Sequence, residues 1–327
     1  AAAASFVAQA TRSWSLLVLF IAVDAGQALT MDWAEKRSWD QTRAGQQYAR
    51  QTVLVLNSLL SIVSGLGISA CMGGSVAFWQ CLDLGMFLSF MPVSICFGVG
   101  ISLKMMAVNH FQAGTIKIIG QLRLPVLAIF SAVLLSRRYS AAQWQTIALI
   151  SVSCLAFVLL KGQGRRTEGK PWKWTGLNQI FGWVLLNVFG GIIAERTYKG
   201  SQFPFYVSKV SEDFGHLLIG LIMLYVVVPR FQPGENILDR TMRPGGFFDS
   251  WDRRTVIVLL FLLADAWLGN MLLKEFSGVA RSVAKAFSVA LVYFVSLSYS
   301  KDRRRNPALS LVALLVLQSS VLFTFLR

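Results

Sequence analysis

Long apolar segments separated by short polar segments follow one another along the whole chain. Most have roughly the 20 residues that an α-helix needs to cross a bilayer, and the alternating pattern of a membrane β-barrel is absent. We therefore predict about ten membrane-spanning helices, and we interpret the run after Arg12 as the first of them rather than as a signal peptide. The predicted helices cover residues 14–31, 52–71, 92–108, 114–135, 141–161, 175–198, 214–228, 255–276, 278–299 and 307–326, with an amphipathic lead-in over 78–87.

A polar segment rich in glycine and lysine, residues 162–174, lies at the middle of the chain. It separates residues 1–161 from residues 175–327, and each half holds five predicted helices. The fourth helix of each half opens with a Gly-x-x-basic pattern and carries a second basic residue downstream. Because five is an odd number of spans, the second half starts on the opposite side of the membrane from the first. The pattern therefore predicts an all-α polytopic membrane protein of two inverted five-helix repeats, as in carriers that work by alternating access.

The composition supports a membrane protein, since 55% of the 327 residues are hydrophobic and only 14% are charged. A soluble domain has about a quarter of its residues charged. The net charge of +15 would suggest nucleic acid in a soluble chain. Here many basic residues lie between the spans, where they meet lipid headgroups or set orientation, so we expect the lipid bilayer and no nucleic acid as partner. The four cysteines and two histidines have neither disulfide nor metal spacing, so neither a metal nor a cofactor is expected.

Basic side chains within the predicted fourth and ninth helices are the strongest indication of a ligand. They are Lys117, Arg123, Arg281 and Lys285. Charged groups at membrane depth usually face a cavity or a partner. The main carboxylates within the spans are those of Asp24 and Asp265, so the excess of cations predicts an anionic ligand that carries phosphates. The alternative is that these cations pair internally or extend to the headgroups.

Four other polar positions are candidates for the ligand site, and two of them have a second interpretation. Gln121 either hydrogen-bonds a ribose or base or joins two helices. Asn57, Lys104 and Ser288 are candidates for polar positions in the cavity, and Lys104 alternatively reaches the headgroups.

Two charged positions near predicted helix ends have other expected roles. Arg137, with Arg138, lies in the short turn after the fourth helix, where we expect it to contact headgroups or set topology. Glu195 is expected to pair with a nearby base such as Lys199.

Residues 121–125 and 134–144 resemble the nucleotide-sugar transporters of the drug/metabolite transporter superfamily. That family has Gln-Leu-Lys-Ile, a helix, and then a small-Arg-x-Leu-Ser-x-x-Gln-Trp turn. Arg123 takes the place of the family's Lys. A second match is residues 191–201, similar to the family's Gly-x-x-x-Glu-Lys-x-x-Lys-Gly-Ser.

Other family positions match less well. Residues 280–284 overlay the family's Leu-Lys-Gly-Phe-Ala, with Arg281 at the Lys. Residues 52–61 lack the Glu and Lys of the family's second helix. In the family's Trp-x-Arg-Asn-x-Gln pattern, Tyr206 keeps an aromatic ring and Lys209 replaces the Asn, where the resemblance implies contact with a base or phosphate.

The resemblance implies a carrier that exchanges a cytosolic nucleotide sugar for a luminal nucleoside monophosphate across a Golgi or endoplasmic-reticulum membrane. The alternative within the superfamily is a carrier of another organic anion, such as a sugar phosphate, or of a drug-like compound. An enzyme is not expected, because no catalytic constellation is evident. The resemblance leaves a homodimer as an open alternative. The family resemblance implies that both termini lie in the cytosol, whereas the distribution of basic residues among the loops favours both termini on the other side of the membrane.

Overall fold

The computed structural model describes residues 2–40, 50–108, 120, 122–163, 174–227, 246–248, 251–299 and 307–326, and every element in these ranges is helical. The ten α-helices there are α1 (Ala2–Asp40), α2 (Arg50–Gln80), α3 (Leu84–Val108), α4 (Arg123–Leu134), α5 (Ala141–Gln163), α6 (Trp174–Gly200), α7 (Phe205–Ile222), α8 (Arg253–Glu275), α9 (Gly278–Tyr299) and α10 (Pro307–Phe325). A π-helical turn, Met223–Val227, continues α7, and a 3₁₀ turn covers Gly246–Phe248.

Eight of these helices are long and apolar enough to cross a membrane. The two shorter apolar segments are Arg123–Leu134 and Ala141–Phe157, in α4 and α5. The prediction of an all-helical protein with many spans is therefore confirmed over the described residues.

The predicted lead-in over residues 78–87 is wrong, because this stretch contains the end of α2, a turn and the start of α3. Pro92 suggested a helix start, since proline is tolerated in a first turn, but it lies inside α3. The carboxylate of Asp83 accepts a hydrogen bond from the backbone N–H of Gly85 at 2.9 Å, which satisfies one amide near the true start of α3.

The predicted start of the seventh helix at residue 214 is also wrong, because α7 begins at Phe205. Its first turns carry several buried polar side chains, which lower the hydropathy of this part of the sequence. They are Ser208, Lys209, Ser211, Glu212 and Asp213. The helix forms because tertiary contacts satisfy these groups, which the hydropathy pattern alone does not reveal.

Packing between the helices leaves a cavity in the middle of the bundle. α3 packs against α6 and α7, α2 packs against α7, and α1 packs against α8 and α9. α5 packs against α10, and α4 contacts α5, α6 and α9. One buried apolar cluster joins α4, α5, α6, α9 and α10, and a second joins α2, α3, α6, α7 and α8.

Candidate functional site

A cavity of about 190 Å³ lies between α1, α3, α4, α5, α6 and α9. Its polar lining comes from Asp24, Lys104, Arg123, Ser151, Ser282 and Lys285. Three of the basic side chains named from the sequence therefore line one cavity. Lys104 comes from α3, Arg123 from α4 and Lys285 from α9. The helices α4 and α9 are the ones whose basic residues the sequence analysis identified.

Arg123 is the first residue of α4, and its side chain is partly buried in the cavity lining. The guanidinium has no hydrogen bond or ion pair with any described residue. Asp24 and Asp265 attract it at longer range, and Arg281 repels it. An unpaired guanidinium among apolar helices is costly unless a ligand neutralises it, and its fixed fork of donors matches a phosphate.

Lys285 lies on α9 between two carboxylates. Its Nζ is 3.1 Å from Oδ1 of Asp24 and 3.2 Å from Oδ2 of Asp265. The hydroxyl of Ser288 is buried and donates to the other oxygen of Asp24. The internal pairing that the sequence left open for this lysine is thus observed, and Asp24 and Asp265 are the carboxylates predicted for it. Ser288 therefore orients Asp24 through this hydrogen bond and does not itself line the cavity.

Lys104 and Trp183 form the aromatic part of the cavity lining. The Lys104 Nζ lies 5.0 Å from the centroid of the indole ring, within range of a cation–π interaction. Gly120 also packs against this ring, since a Cβ there would lie 2.9 Å from the indole. Sequence reasoning missed Trp183, because a tryptophan inside an apolar helix does not differ from an ordinary core residue.

Arg281 lies one turn before Lys285 on α9, outside the cavity lining. Its Nη1 donates to Oδ1 of Asn270 at 3.3 Å. A Cβ at Gly269 would lie 2.6 Å from its Nη2, so the glycine lets the guanidinium lie against the backbone of α8. Arg281 has no carboxylate partner among the described residues.

The cations exceed the anions around the cavity. Arg123, Arg281 and Lys285 carry three positive charges, and Asp24 and Asp265 carry two negative charges. These five side chains therefore leave a net positive charge, which favours an anionic ligand. In the described ranges, no group of three His, Cys, Asp or Glu could hold a metal ion.

Lys209 lies elsewhere, buried in a polar group that we call the α7 cluster: Lys209, Glu212, Asp213 and His216. The Lys209 Nζ contacts Oδ1 of Asp213 and lies 3.6 Å from Oε2 of Glu212. Its side chain is 1% exposed. The structure thus separates Lys209 from the cavity and gives its ammonium two carboxylate partners.

Among the other predicted residues, Asn57 does not line the cavity. Asn57 lies on α2, and its Oδ1 is buried with no hydrogen-bond partner among the described residues. Lys117 and Gln121 lie outside the described residues, so their predicted roles stay predictions.

Glu195, on α6, is the centre of a second polar group that we call the Glu195 network. Its carboxylate accepts from Arg137 Nη2, from Lys199 Nζ at 2.8 Å and from the Gly278 N–H at 2.9 Å. The side chain is 3% exposed. The pairing predicted with Lys199 is confirmed. Arg137 is expected from the sequence to contact headgroups or set topology. Its guanidinium instead pairs with a buried carboxylate on α6, and the role in topology stays a prediction.

The fold and the site define a multi-pass helical membrane protein with a cationic cavity between its helices. The profile of the nucleotide-sugar transporter family matches residues 8–324, nearly the whole chain. The chain belongs to the nucleotide-sugar transporter family, which confirms the resemblance found at residues 121–144 and 191–201.

Individual relatives are distant. The chain is 21% identical over 228 residues to the UDP-N-acetylglucosamine transporter of Canis lupus familiaris, covering 68% of this chain and 67% of that protein. It is 29% identical over 100 residues to the UDP-galactose/UDP-N-acetylglucosamine transporter of Caenorhabditis elegans, covering 31% and 27%. One solved crystal structure with 13% identity covers 96% of this chain and 99% of its own, with a TM-score of 0.62, and shows the fold alone.

Proposed function

We propose that this protein exchanges a cytosolic nucleotide sugar for a luminal nucleoside monophosphate across a Golgi or endoplasmic-reticulum membrane. The observation that carries the proposal is Arg123, a guanidinium without an ion-pair partner among the described residues, in the cavity of a nucleotide-sugar transporter family member. A pyrophosphate diester is anionic at neutral pH, which matches the net positive charge of Arg123, Arg281, Lys285, Asp24 and Asp265 around the cavity. Arg123 binds it by bidentate hydrogen bonds, and Lys104 and Arg281 add positive potential.

Two relatives support a uridine nucleotide as the substrate. Both are named as transporters of UDP-N-acetylglucosamine, and one also of UDP-galactose. In our proposal the indole of Trp183 offers the base or sugar an apolar face in the cavity, while the phosphates lie toward Arg123.

Alternating access in this proposal uses ten spans in two inverted repeats, α1–α5 and α6–α10. The pattern of helix contacts supports the repeat. α3 packs on α6 as α8 packs on α1, α4 packs on α6 as α9 packs on α1, and α4 packs on α5 as α9 packs on α10. When each helix of α1–α5 is matched with the helix five places later in the chain, every one of these contacts in one half has its equivalent in the other. Two repeats around a shared site are expected to show this pattern.

Exchange in proteoliposomes tests this function. We expect vesicles loaded with UMP to take up external labelled UDP-N-acetylglucosamine, and vesicles without internal nucleotide to take up much less. Uptake of UDP-galactose instead would keep the function and change the sugar. No exchange of any nucleotide sugar, with exchange of a sugar phosphate, would identify the protein as a carrier of another organic anion.

The Glu195 network is, in our proposal, the closed gate of the conformation described here. It joins the α4–α5 turn of the first half to α6 and the α8–α9 turn of the second half. Along α6, Glu195 lies twelve residues beyond Trp183, or roughly 18 Å at the helical rise. The network therefore lies at the end of the bundle beyond the cavity, and it must break when that end opens.

Arg137→Ala should make the empty carrier reorient faster, since it removes one partner that holds the closed end together. We expect nucleotide-sugar uptake into vesicles without internal nucleotide to rise about tenfold relative to exchange, which corresponds to roughly 1.4 kcal/mol lost from the closed state. The matched control is Arg138→Ala, which removes the same charge from the adjacent, exposed position. Equal uptake ratios in the two variants would contradict the gate.

A further inference from the structure

The α7 cluster carries an imbalance of charge that the proposed function does not use. One ammonium, that of Lys209, lies between the carboxylates of Glu212 and Asp213. With a neutral imidazole on His216, the cluster retains one negative charge. All three charged side chains are at most 4% exposed, and an uncompensated charge at such a site is strongly disfavoured.

Two buried polar atoms in the cluster have no hydrogen-bond partner among the described residues, Oε1 of Glu212 and Nε2 of His216. They face each other at 4.0 Å. The other ring nitrogen, Nδ1 of His216, lies 3.7 Å from Oδ1 of Asp213. Each nitrogen therefore faces a carboxylate, an arrangement that suits the imidazolium, in which both nitrogens carry a proton.

We infer that the α7 cluster is a proton-binding site, in which one proton on Nε2 of His216, the nitrogen that faces Oε1 of Glu212, removes the net charge. Imidazole is the side chain that ordinarily changes charge between about pH 5 and 8. The His216 side chain is 21% exposed whereas that of Glu212 is 1% exposed, so the imidazole is the member that a proton from outside reaches first.

The groups around the imidazole are consistent with a single exchangeable proton. The titratable ones are Lys209, Glu212 and Asp213 on α7 and Tyr198 on α6, whose hydroxyl donates to Oε2 of Glu212. The other helices packed there contribute neutral side chains. Among the described residues these are Ser61 of α2, hydrogen-bonded to Asp213, Phe97 of α3, whose ring is tilted toward the imidazole at a centroid distance of 6.1 Å, and Asn270 of α8.

Asn270 connects the proton site to the cavity. Its Nδ2 donates to Oε2 of Glu212, and its Oδ1 accepts from Nη1 of Arg281 at 3.3 Å. Arg281 in turn acts electrostatically on Arg123. Protonation removes a negative charge next to this chain of contacts, which raises the positive potential at the cavity. This second step rests on the proposed function, and it predicts that an anion binds more tightly when the proton is bound.

Histidine NMR tests the proton site without any substrate. The chain has two histidines, so a ring-labelled His110→Gln variant reports His216 alone. We expect its ring-nitrogen resonances to change from those of the neutral imidazole to those of the imidazolium, with both nitrogens protonated, as the pH is lowered. Glu212→Gln, which replaces the facing carboxylate by a neutral amide, should move the midpoint to lower pH, since the proton loses its partner. Ring nitrogens that show no imidazolium at any pH, or a protonation equilibrium that Glu212→Gln does not move, overturn the proton site.

Binding of UDP-N-acetylglucosamine, which itself has no group titrating near neutral pH, tests the link. We expect about fivefold tighter binding at about pH 5.5 than at about pH 7.5, within the usual range of coupling between sites. By reciprocity, saturating nucleotide sugar raises the midpoint of the His216 titration by the same factor. His216→Gln should lose the pH dependence, and His110→Gln should keep it.

The outcomes separate the two proposals. A titrating His216 without nucleotide binding at any pH supports the proton site and contradicts the proposed function. Binding that is independent of pH, or whose pH dependence survives in His216→Gln, overturns the link and leaves the proposed function standing.

Discussion

Arg123→Ala should weaken nucleotide-sugar binding by roughly 100-fold, the effect of losing about 3 kcal/mol from hydrogen bonds to a charged group. The guanidinium has no ion-pair partner among the described residues and lines the cavity, so its loss affects ligand binding rather than the packing of the helices. The variant should keep its thermal stability in detergent and lose exchange in proteoliposomes.

Two variants control this prediction. Arg123→Lys keeps the charge with the residue that the family resemblance puts at this position, and we expect it to retain much of the exchange. Arg196→Ala removes an arginine from an exposed position on α6, away from the cavity, and we expect binding close to that of the unmodified protein. Wild-type binding by Arg123→Ala would mean that the phosphates lie elsewhere, and the site proposed here would have to be abandoned.

Sequence patterns could predict Arg123 and Lys285 as cavity residues, because a basic side chain inside an apolar segment is conspicuous. The carboxylates that pair with Lys285 could be predicted for the same reason, since Asp24 and Asp265 lie inside apolar segments as well. Arg281 could be predicted to lie near them, because it occupies the same face of α9 one turn earlier. The contact between Arg281 and Asn270 could not, because it depends on how α8 and α9 pack.

The α7 cluster and the place of Arg137 in the Glu195 network could not be predicted from the hydropathy and spacing of the sequence. Five polar residues in the first turns of α7 look like a loop when hydropathy is averaged, and only their contacts with α2, α6 and α8 make a buried helix of them. Arg137 in a basic turn likewise resembles a residue that faces headgroups. Its partner lies 58 residues away in the chain, and sequence spacing carries no information about such a pair.

Lys209→Met should lower the free energy of unfolding by about 3–5 kcal/mol, as expected when one member of a buried ion pair is removed. The variant leaves Glu212 and Asp213 buried without their ammonium, and methionine fills the volume of the lysine stem without neutralising either carboxylate. Thermal unfolding in detergent, without nucleotide, measures the loss.

The double variant Lys209→Met with Asp213→Asn separates loss of charge from loss of packing. It returns the α7 cluster to the net charge of the unmodified protein, so we expect it to recover most of the stability. If Lys209→Met unfolds like the unmodified protein but no longer binds nucleotide, Lys209 contacts the substrate, as its position in the family motif implies. If the single variant is unstable and the double variant is stable and binds nucleotide, the lysine serves the fold. The departure from the family's Asn is then explained by the two carboxylates that follow it on α7.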